Sequence, residues 1–477
     1  MSFRLAPARP PAVAAEAMVA TSQPLATRAG LRALERGGNA TDAALAAAAV
    51  LCVTEPMSTG IGGDAFAIVW DGARLHGLDA AGPAPLGAEV GAPVAKRGPR
   101  SVTVPGAVRG WAELAGRFGS LGLDTLLADA IGAAEQGFAV GRVTARAWSA
   151  APAPPELGRP PSLGERVRLP QLGATLRRIA SEGPDALYRG EIARAIARAS
   201  WLEEADLAAY APAWVEALSI DYRGVTVCEL PPPTQGVAAL EGLGLLALGE
   251  PSLLAQVQCI RLALEDARGR VRDGADVSDL IAPARLARRR SETPGSVAEP
   301  AGGTVYLCAV DGDGMAVSLI QSLYESFGSG VVAPGTGIVL QNRGACFALS
   351  GGVEPGRRPY HTIIPGMLLH DSTLLGPFGV MGGLMQSQAH VQLVSALVDL
   401  GLDPQASLDR PRFRVQGDDV LLEEGFEARC EEIASLGLTP VPSRDRSLFG
   451  GGQAIVASGD VLLGGSDARK DGYAGGF

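Results

Sequence analysis

Apolar and polar positions divide the chain into blocks of different period. Residues 24–36 read as a helix that stops at Gly37-Gly38, and Asn39 to Thr41 can cap the next one. That second helix, Asp42 to Val53, is apolar on nearly every face and is therefore predicted to be buried. The glycine-rich stretch Glu55-Pro-Met-Ser-Thr-Gly-Ile-Gly-Gly-Asp64 follows, and then a strand-like run from Ala65 to Trp70. A glycine turn ahead of a strand reverses the strand–glycine–helix order of dinucleotide sites, so the stretch reads better as a tight turn between close layers.

Residues 82–100 are rich in Pro, Gly and Ala and predict an extended surface segment. After Pro105-Gly106 the pattern is helical to about 137, and helices alternate with loops to about 290; the arginines of Arg285 to Arg290 fit the polar end of a helix. No repeat of 20–50 residues is visible. The sharpest break is at 291–303, SETPGSVAEPAGG, where prolines and glycines leave little to bury, so the segment should be mobile and accessible. Strand character follows at once. Val305 to Val310 is β-rich, Asp311-Gly-Asp-Gly314 forms a turn, and Met315 to Ser322 is a second β-rich run. Pairing about this turn brings Thr304 opposite roughly Gln321 or Ser322, with the register open.

Composition narrows the function. The 477 residues carry a net charge of −10, and the lysines and arginines form no run suited to a polyanion, which argues against nucleic acid and anionic membranes. The longest apolar run, Ala43 to Val53, is too short to span a bilayer, and Met1 to Pro24 lacks a secretory apolar segment. A cytoplasmic location is expected. The six cysteines form no CxxC pair and no metal spacing, so free thiols are expected, and no metal or organic cofactor is implied. Only four histidines exist, His76, His361, His370 and His390, and none lies in a known triad signature.

A threonine opening a core strand just after a flexible Gly-Gly linker suits one chemistry. Its hydroxyl is a weak nucleophile, but a cut immediately before it would free an α-amine able to act as its general base without histidine. The plainer reading, that Thr304 merely begins a strand, stays open on spacing alone.

The segment GGTVYLCAVDGDGMAVSLIQSLYESFGSGVVAPGTGIVLQNRG (302–344) resembles the start of the small subunit in the gamma-glutamyltransferase family. NATDAALAAAAVLCVTEPMSTGIGGDAF (39–66), SVTVPGAVRGW (101–111) and GVMGGLMQSQAHVQLVSALVDLGLDPQASLDRPRFRV (379–415) extend the likeness over nearly the whole chain. The resemblance implies an α+β fold, the four-layer αββα Ntn-hydrolase sandwich, made as one chain and split autocatalytically between Gly303 and Thr304. The implied products are a large subunit, 1–303, containing the helical region, and a small subunit, 304–477. They would remain associated, act on a small-molecule amide, and leave open a homo-oligomer of the processed heterodimer. Thr304 matches the family's nucleophile. Ser322 stands where a second hydroxyl, usually Thr, orients it. Gly382-Gly383 match the glycine pair whose N–H groups hold the oxyanion; on their own they read equally as a turn.

The departures bear on substrate. The family's Arg for the glutamyl α-carboxylate has no counterpart in Ala80 to Ala88; Cys346 stands at the amine-binding Asp; Tyr324 replaces a substrate-contacting Asn. Missing these partners would cost a bound zwitterion several kcal/mol, about one charged hydrogen bond each. QNRG (341–344), YHTIIPG (360–366) and MQSQAHVQ (385–392) look more like the branch that includes oxamate amidohydrolase. There Arg343 becomes a candidate partner for a substrate carboxylate, or else a surface or interdomain ion pair. His361 and Thr362 occupy the place of paired serines near the donor pocket, though His361 could simply cap a loop. Cys346, in apolar surroundings, is expected to be inert. A gamma-glutamyl hydrolase or transferase with a rebuilt clamp is the alternative enzyme reading. An uncleaved, non-catalytic binding protein is the other, against which the retained Thr304, Ser322 and Gly382-Gly383 argue.

Overall fold

Two seven-stranded sheets carry the site, in a computed structural model that describes residues 9–297 and 302–477. Their strands, in chain order, are β1 (Ala12–Ala14), β2 (Met18–Thr21), β3 (Asp64–Trp70), β4 (Leu75–Ala80), β5 (Ala213–Val215), β6 (Leu218–Tyr222) and β7 (Val225–Glu229). There follow β8 (Gly303–Val310), β9 (Ala316–Tyr324), β10 (Gly366–His370), β11 (Thr373–Met381), β12 (Gly451–Ser458), β13 (Val461–Ser466) and β14 (Tyr473–Gly476). One sheet runs β14-β2-β8-β9-β3-β4-β5 and the other β1-β13-β12-β11-β10-β7-β6.

The facing sides of the sheets enclose Phe66, Ile68, Tyr306, Cys308 and Ile320 from the first sheet with Cys228, Met367, Met381 and Ile455 from the second. Helices α1 (Pro24–Glu35) and α2 (Ala40–Thr54) cover the outside of the first sheet, against Val305, Leu307, Val317 and Leu319. Helices α3 (Gly236–Ala247), α4 (Leu253–Arg270) and α5 (Met385–Val398) cover the second, against Val227, Leu368, Phe378 and Val380. The result is the expected αββα sandwich.

Local chemistry explains α2. Asn39 accepts from the N–H groups of Thr41 and Asp42, while Asp42 accepts from Asn39 N–H, a reciprocal capping box. Every residue of the helix is buried, as its unbroken apolar text predicts. The helical reading after Pro105-Gly106 also holds, as two helices, Ala107–Phe118 and Leu123–Gln136, parted at Gly119 to Gly122.

Two expectations need correction. The stretch read as helices and loops to about 290 contains β5, β6 and β7, which are edge-side strands of both sheets. Each spans three to five residues, too short for a two-residue period to stand out beside longer helices. Residues 82–100 are extended but not simply on the surface: Ala84 is buried, and its N–H and C=O bond to Arg357 C=O and Gly356 N–H. Within the segment 291–303, residues 298–301 lie outside the described residues. Residues 291–297 are largely exposed as expected, although Gly295 N–H donates to Glu265 and Val297 C=O accepts from Gly417 N–H.

Gly82 links this scaffold to the site. Its N–H donates to Asp64 Oδ1 at 2.9 Å, and a Cβ there would stand 1.5 Å from the Val104 carbonyl oxygen. Gly82→Ala must therefore push two backbone segments apart, at a cost of about 3 kcal/mol or more. A chemical denaturation midpoint indistinguishable from the parent's would refute this close approach.

Candidate active site

The β8–β9 hairpin fixes what the sequence left open. Val305 pairs with Gln321 and Gly303 with Tyr324, and the irregularity between them places Thr304 beside Ser322. In the continuous chain Thr304 Oγ1 lies 2.7 Å from the Gly303 carbonyl oxygen and 3.2 Å from Ser322 Oγ. Ser322 Oγ donates to the same carbonyl at 2.7 Å and accepts from Tyr324 N–H at 2.8 Å. A hydroxyl able to attack and a hydroxyl able to polarise thus converge on one peptide bond. Tyr324 holds this corner at φ +78, a conformation rare for a residue with a side chain.

Arg343 begins a short 3-10 turn, Arg343–Leu349, and is fully buried. Its guanidinium lies over the Tyr324 ring at 4.5 Å. One terminal nitrogen donates to Thr362 Oγ1 at 3.2 Å and lies 3.9 Å from Cys346 Sγ; the other reaches Ser322 Oγ at 3.4 Å. No carboxylate pairs with it among the described residues, and its Nε–H has no acceptor there. Of the two readings, the ion pair finds no partner among the described residues. Burial raises the Cys346 thiol pKa, and the nearby Arg343 charge only partly opposes this.

His361 is also buried, with both ring nitrogens engaged: Nε2 lies 3.0 Å from Asp64 Oδ2 and Nδ1 2.8 Å from the Pro359 carbonyl oxygen. Burial first, and then the Arg343 charge, lowers its pKa below the usual imidazole value. Its ring therefore anchors the loop that presents Thr362 to Arg343.

Gly382 and Gly383 join β11 to α5 at φ +132 and +62, both in the region that favours glycine. Their carbonyls accept from Met385 and Gln386 N–H, each at 3.2 Å. Because a trans peptide points N–H opposite to C=O, fixing the Gly382 carbonyl in the first helical turn turns the Gly383 N–H away from the helix. Linker residue Gly302 is a neighbour: a Cβ on it would stand 3.5 Å from Gly383 Cα. The glycine pair and the positive end of α5 therefore lie beside Gly302, one residue ahead of the Gly303–Thr304 peptide.

The family profile described as gamma-glutamyltranspeptidase matches residues 26–477. The chain belongs to this family. Relatives agree along the full length. Oxamate amidohydrolase proenzyme from Klebsiella pneumoniae is 33% identical, over 98% of this chain and 99% of that protein. Glutathione hydrolase-like YwrD proenzyme from Bacillus subtilis is 31% identical, over 96% and 98%. The crystal structure of cephalosporin acylase from Bacillus halodurans superposes with a TM-score of 0.92 at 40% identity, covering 100% of this chain and 98% of that one. The protein is thus a hydrolytic enzyme of the Ntn type.

Family membership leaves several neighbours of the site unmentioned by sequence reasoning. Asp64 receives Gly82 N–H, Gln341 Nε2 and the His361 ring. Asn342 accepts from Glu325 N–H and donates to Lys96 C=O, tying the 82–100 segment to the end of β9. Gln235, discussed below, lies in PPPTQG (231–236), a run whose prolines signal only a turn.

Proposed function

We propose that this enzyme matures by cleaving its own Gly303–Thr304 bond and then hydrolyses small amides that carry a carboxylate close to the scissile carbonyl, oxamate being the prototype. One observation carries the substrate half: Arg343 is a buried cation with no counter-charge among the described residues, one hydroxyl away from Thr304. Leaving a guanidinium buried and unpaired is costly by several kcal/mol, and a bound carboxylate would relieve it through the fork geometry that arginine favours.

In self-cleavage the Thr304 hydroxyl attacks the Gly303 carbonyl carbon while Ser322 donates to the carbonyl oxygen; the C–N bond breaks and water hydrolyses the resulting ester. The products are residues 1–303 and 304–477. The freed Thr304 amine next takes the proton of its own hydroxyl as Oγ1 attacks the substrate amide. The N–H groups of Gly382 and Gly383 hold the oxyanion, the amine leaves with the transferred proton, and water releases the acid.

The glutathione hydrolase-like relative supports a second reading, a gamma-glutamyl donor. Such a donor needs an acidic partner for its α-ammonium, and at the matching position stands the buried, neutral thiol of Cys346. Ammonia release from oxamate, set against p-nitroaniline release from gamma-glutamyl-p-nitroanilide, separates the two. Turnover of the glutamyl compound alone would overturn the oxamate-like assignment.

Ser322→Ala should slow self-cleavage by about 10- to 100-fold, the loss of one well-aimed donor, whereas Ser322→Thr should stay within a few-fold of the parent. Timed denaturing electrophoresis of newly made protein reads this directly. Equal rates for Ser322→Ala and the parent would remove Ser322 from the mechanism.

A further inference from the structure

Past Gly366 and Phe378, the pair that closes their ladder, strands β10 and β11 no longer bond to each other. Val380 N–H turns instead to His390 Nε2 at 3.1 Å. The chain entering β10 carries Thr362, whose hydroxyl holds Arg343, and the chain leaving β11 carries Gly382 and Gly383. The two halves of the site thus sit on segments that diverge.

The side chain of Gln235 fills the gap. It is fully buried at the start of α3, and its Nε2 donates to the Thr362 carbonyl at 2.7 Å and to the Gly383 carbonyl at 3.2 Å. Its Oε1 accepts from Tyr360 O–H at 3.3 Å, and its backbone N–H donates to the His361 carbonyl at 3.0 Å. Gln386 adds a parallel tie, accepting from Ile364 N–H at 3.0 Å, but one turn farther along α5. A primary amide is well suited to this place: its two N–H bonds can serve two carbonyls while its oxygen is fixed by a third group.

We propose that Gln235 is a positioning residue that sets the spacing between the Arg343 carboxylate anchor and the oxyanion glycines, and thereby sets the length of acyl group the enzyme accepts. The inference rests on the roles given above to Arg343 and Gly382–Gly383. A fixed anchor-to-oxyanion distance admits one separation of carboxylate and scissile carbonyl. Loosening it lets longer acyl groups reach both ends and misplaces the shortest. Displacements of about 1 Å at such a site cost on the order of 100-fold in rate.

The test uses Gln235→Met, which keeps the side-chain length and donates nothing, on the self-cleaved enzyme. Substrates are the monoamides of oxalic, malonic, succinic and glutaric acids, with a neutral amide as reference. The expected result is a roughly 100-fold lower kcat on the monoamide the parent prefers, little change in KM, and a preference shifted at least about tenfold toward longer acyl groups. Self-cleavage should persist, since the Gly303 carbonyl is held by Thr304 and Ser322. Tyr360→Phe, a gentler change that frees Gln235 Oε1, should shift the preference in the same direction by about threefold or more. A parental length profile in either variant would overturn the proposal, as would a loss of equal size on every monoamide. If the parent itself turns over the neutral amide as well as the monoamides, the role of Arg343 falls, and this inference with it.

Discussion

Thr304→Ala is expected to leave the protein as one continuous chain of 48.8 kDa and to abolish amide hydrolysis, by about 10,000-fold or more. The reason is geometric. Two hydroxyls reach the Gly303 carbonyl in the continuous chain, but Ser322 also accepts Tyr324 N–H and faces Arg343, so it is set to polarise rather than attack. Removing Thr304 Oγ1 takes away the attacking atom, and without the cut there is no free α-amine to serve as base. Both losses have the same source, so adding back substrate or changing pH should rescue neither. Thr304→Ser keeps hydroxyl and amine and should cleave and turn over within about tenfold of the parent. Intact mass and N-terminal sequencing of the smaller fragment check the first half: the fragment should begin Thr-Val-Tyr-Leu. A Thr304→Ala protein that still splits there would exclude this residue as nucleophile.

Arg343→Ala should lower kcat/KM for carboxylate-bearing amides by about 100- to 1,000-fold, equivalent to about 3–4 kcal/mol, while neutral amides of similar size change only a few-fold. The asymmetry separates recognition from general damage to the site. Arg343→Lys keeps the charge but loses the planar fork and the stacking on Tyr324, so an intermediate loss of roughly tenfold is expected. Both variants also lose a contact to Ser322, so kinetics belong on protein whose cleavage has run to completion. Equal losses on charged and neutral amides would show that Arg343 supports the site without reading the carboxylate.

The change of character at Gly303–Thr304, Pro and Gly before it and a strand after it, marks the bond, but local pattern left Thr304 open as a plain strand start; its role as nucleophile came from the family resemblance. The hairpin narrowed the residue opposite Thr304 to roughly Gln321 or Ser322, and the family resemblance chose Ser322. α2 was legible because a capping residue and an unbroken apolar stretch agree. Arg343 was harder. It lies in a 3-10 turn with no period, and whether it meets a carboxylate on a neighbouring segment depends wholly on tertiary packing. Gln235 was not legible at all, because its three partners, Thr362, Gly383 and Tyr360, come from more than a hundred residues away. Local pattern reports periods and turns; it does not report which distant carbonyls one amide will join.

The strand order has a consequence for the life of the molecule. In one sheet β8 and β9 lie between β2 and β3, and in the other β10 to β13 lie between β1 and β7. A cut at Gly303–Thr304 would therefore yield two pieces shuffled together like halves of a deck, neither owning a complete sheet. Folding is a one-body reaction before the cut and would be a two-body reaction after it. The mature enzyme would then be a product of its own history, recoverable after unfolding only if two strangers find each other in the right order.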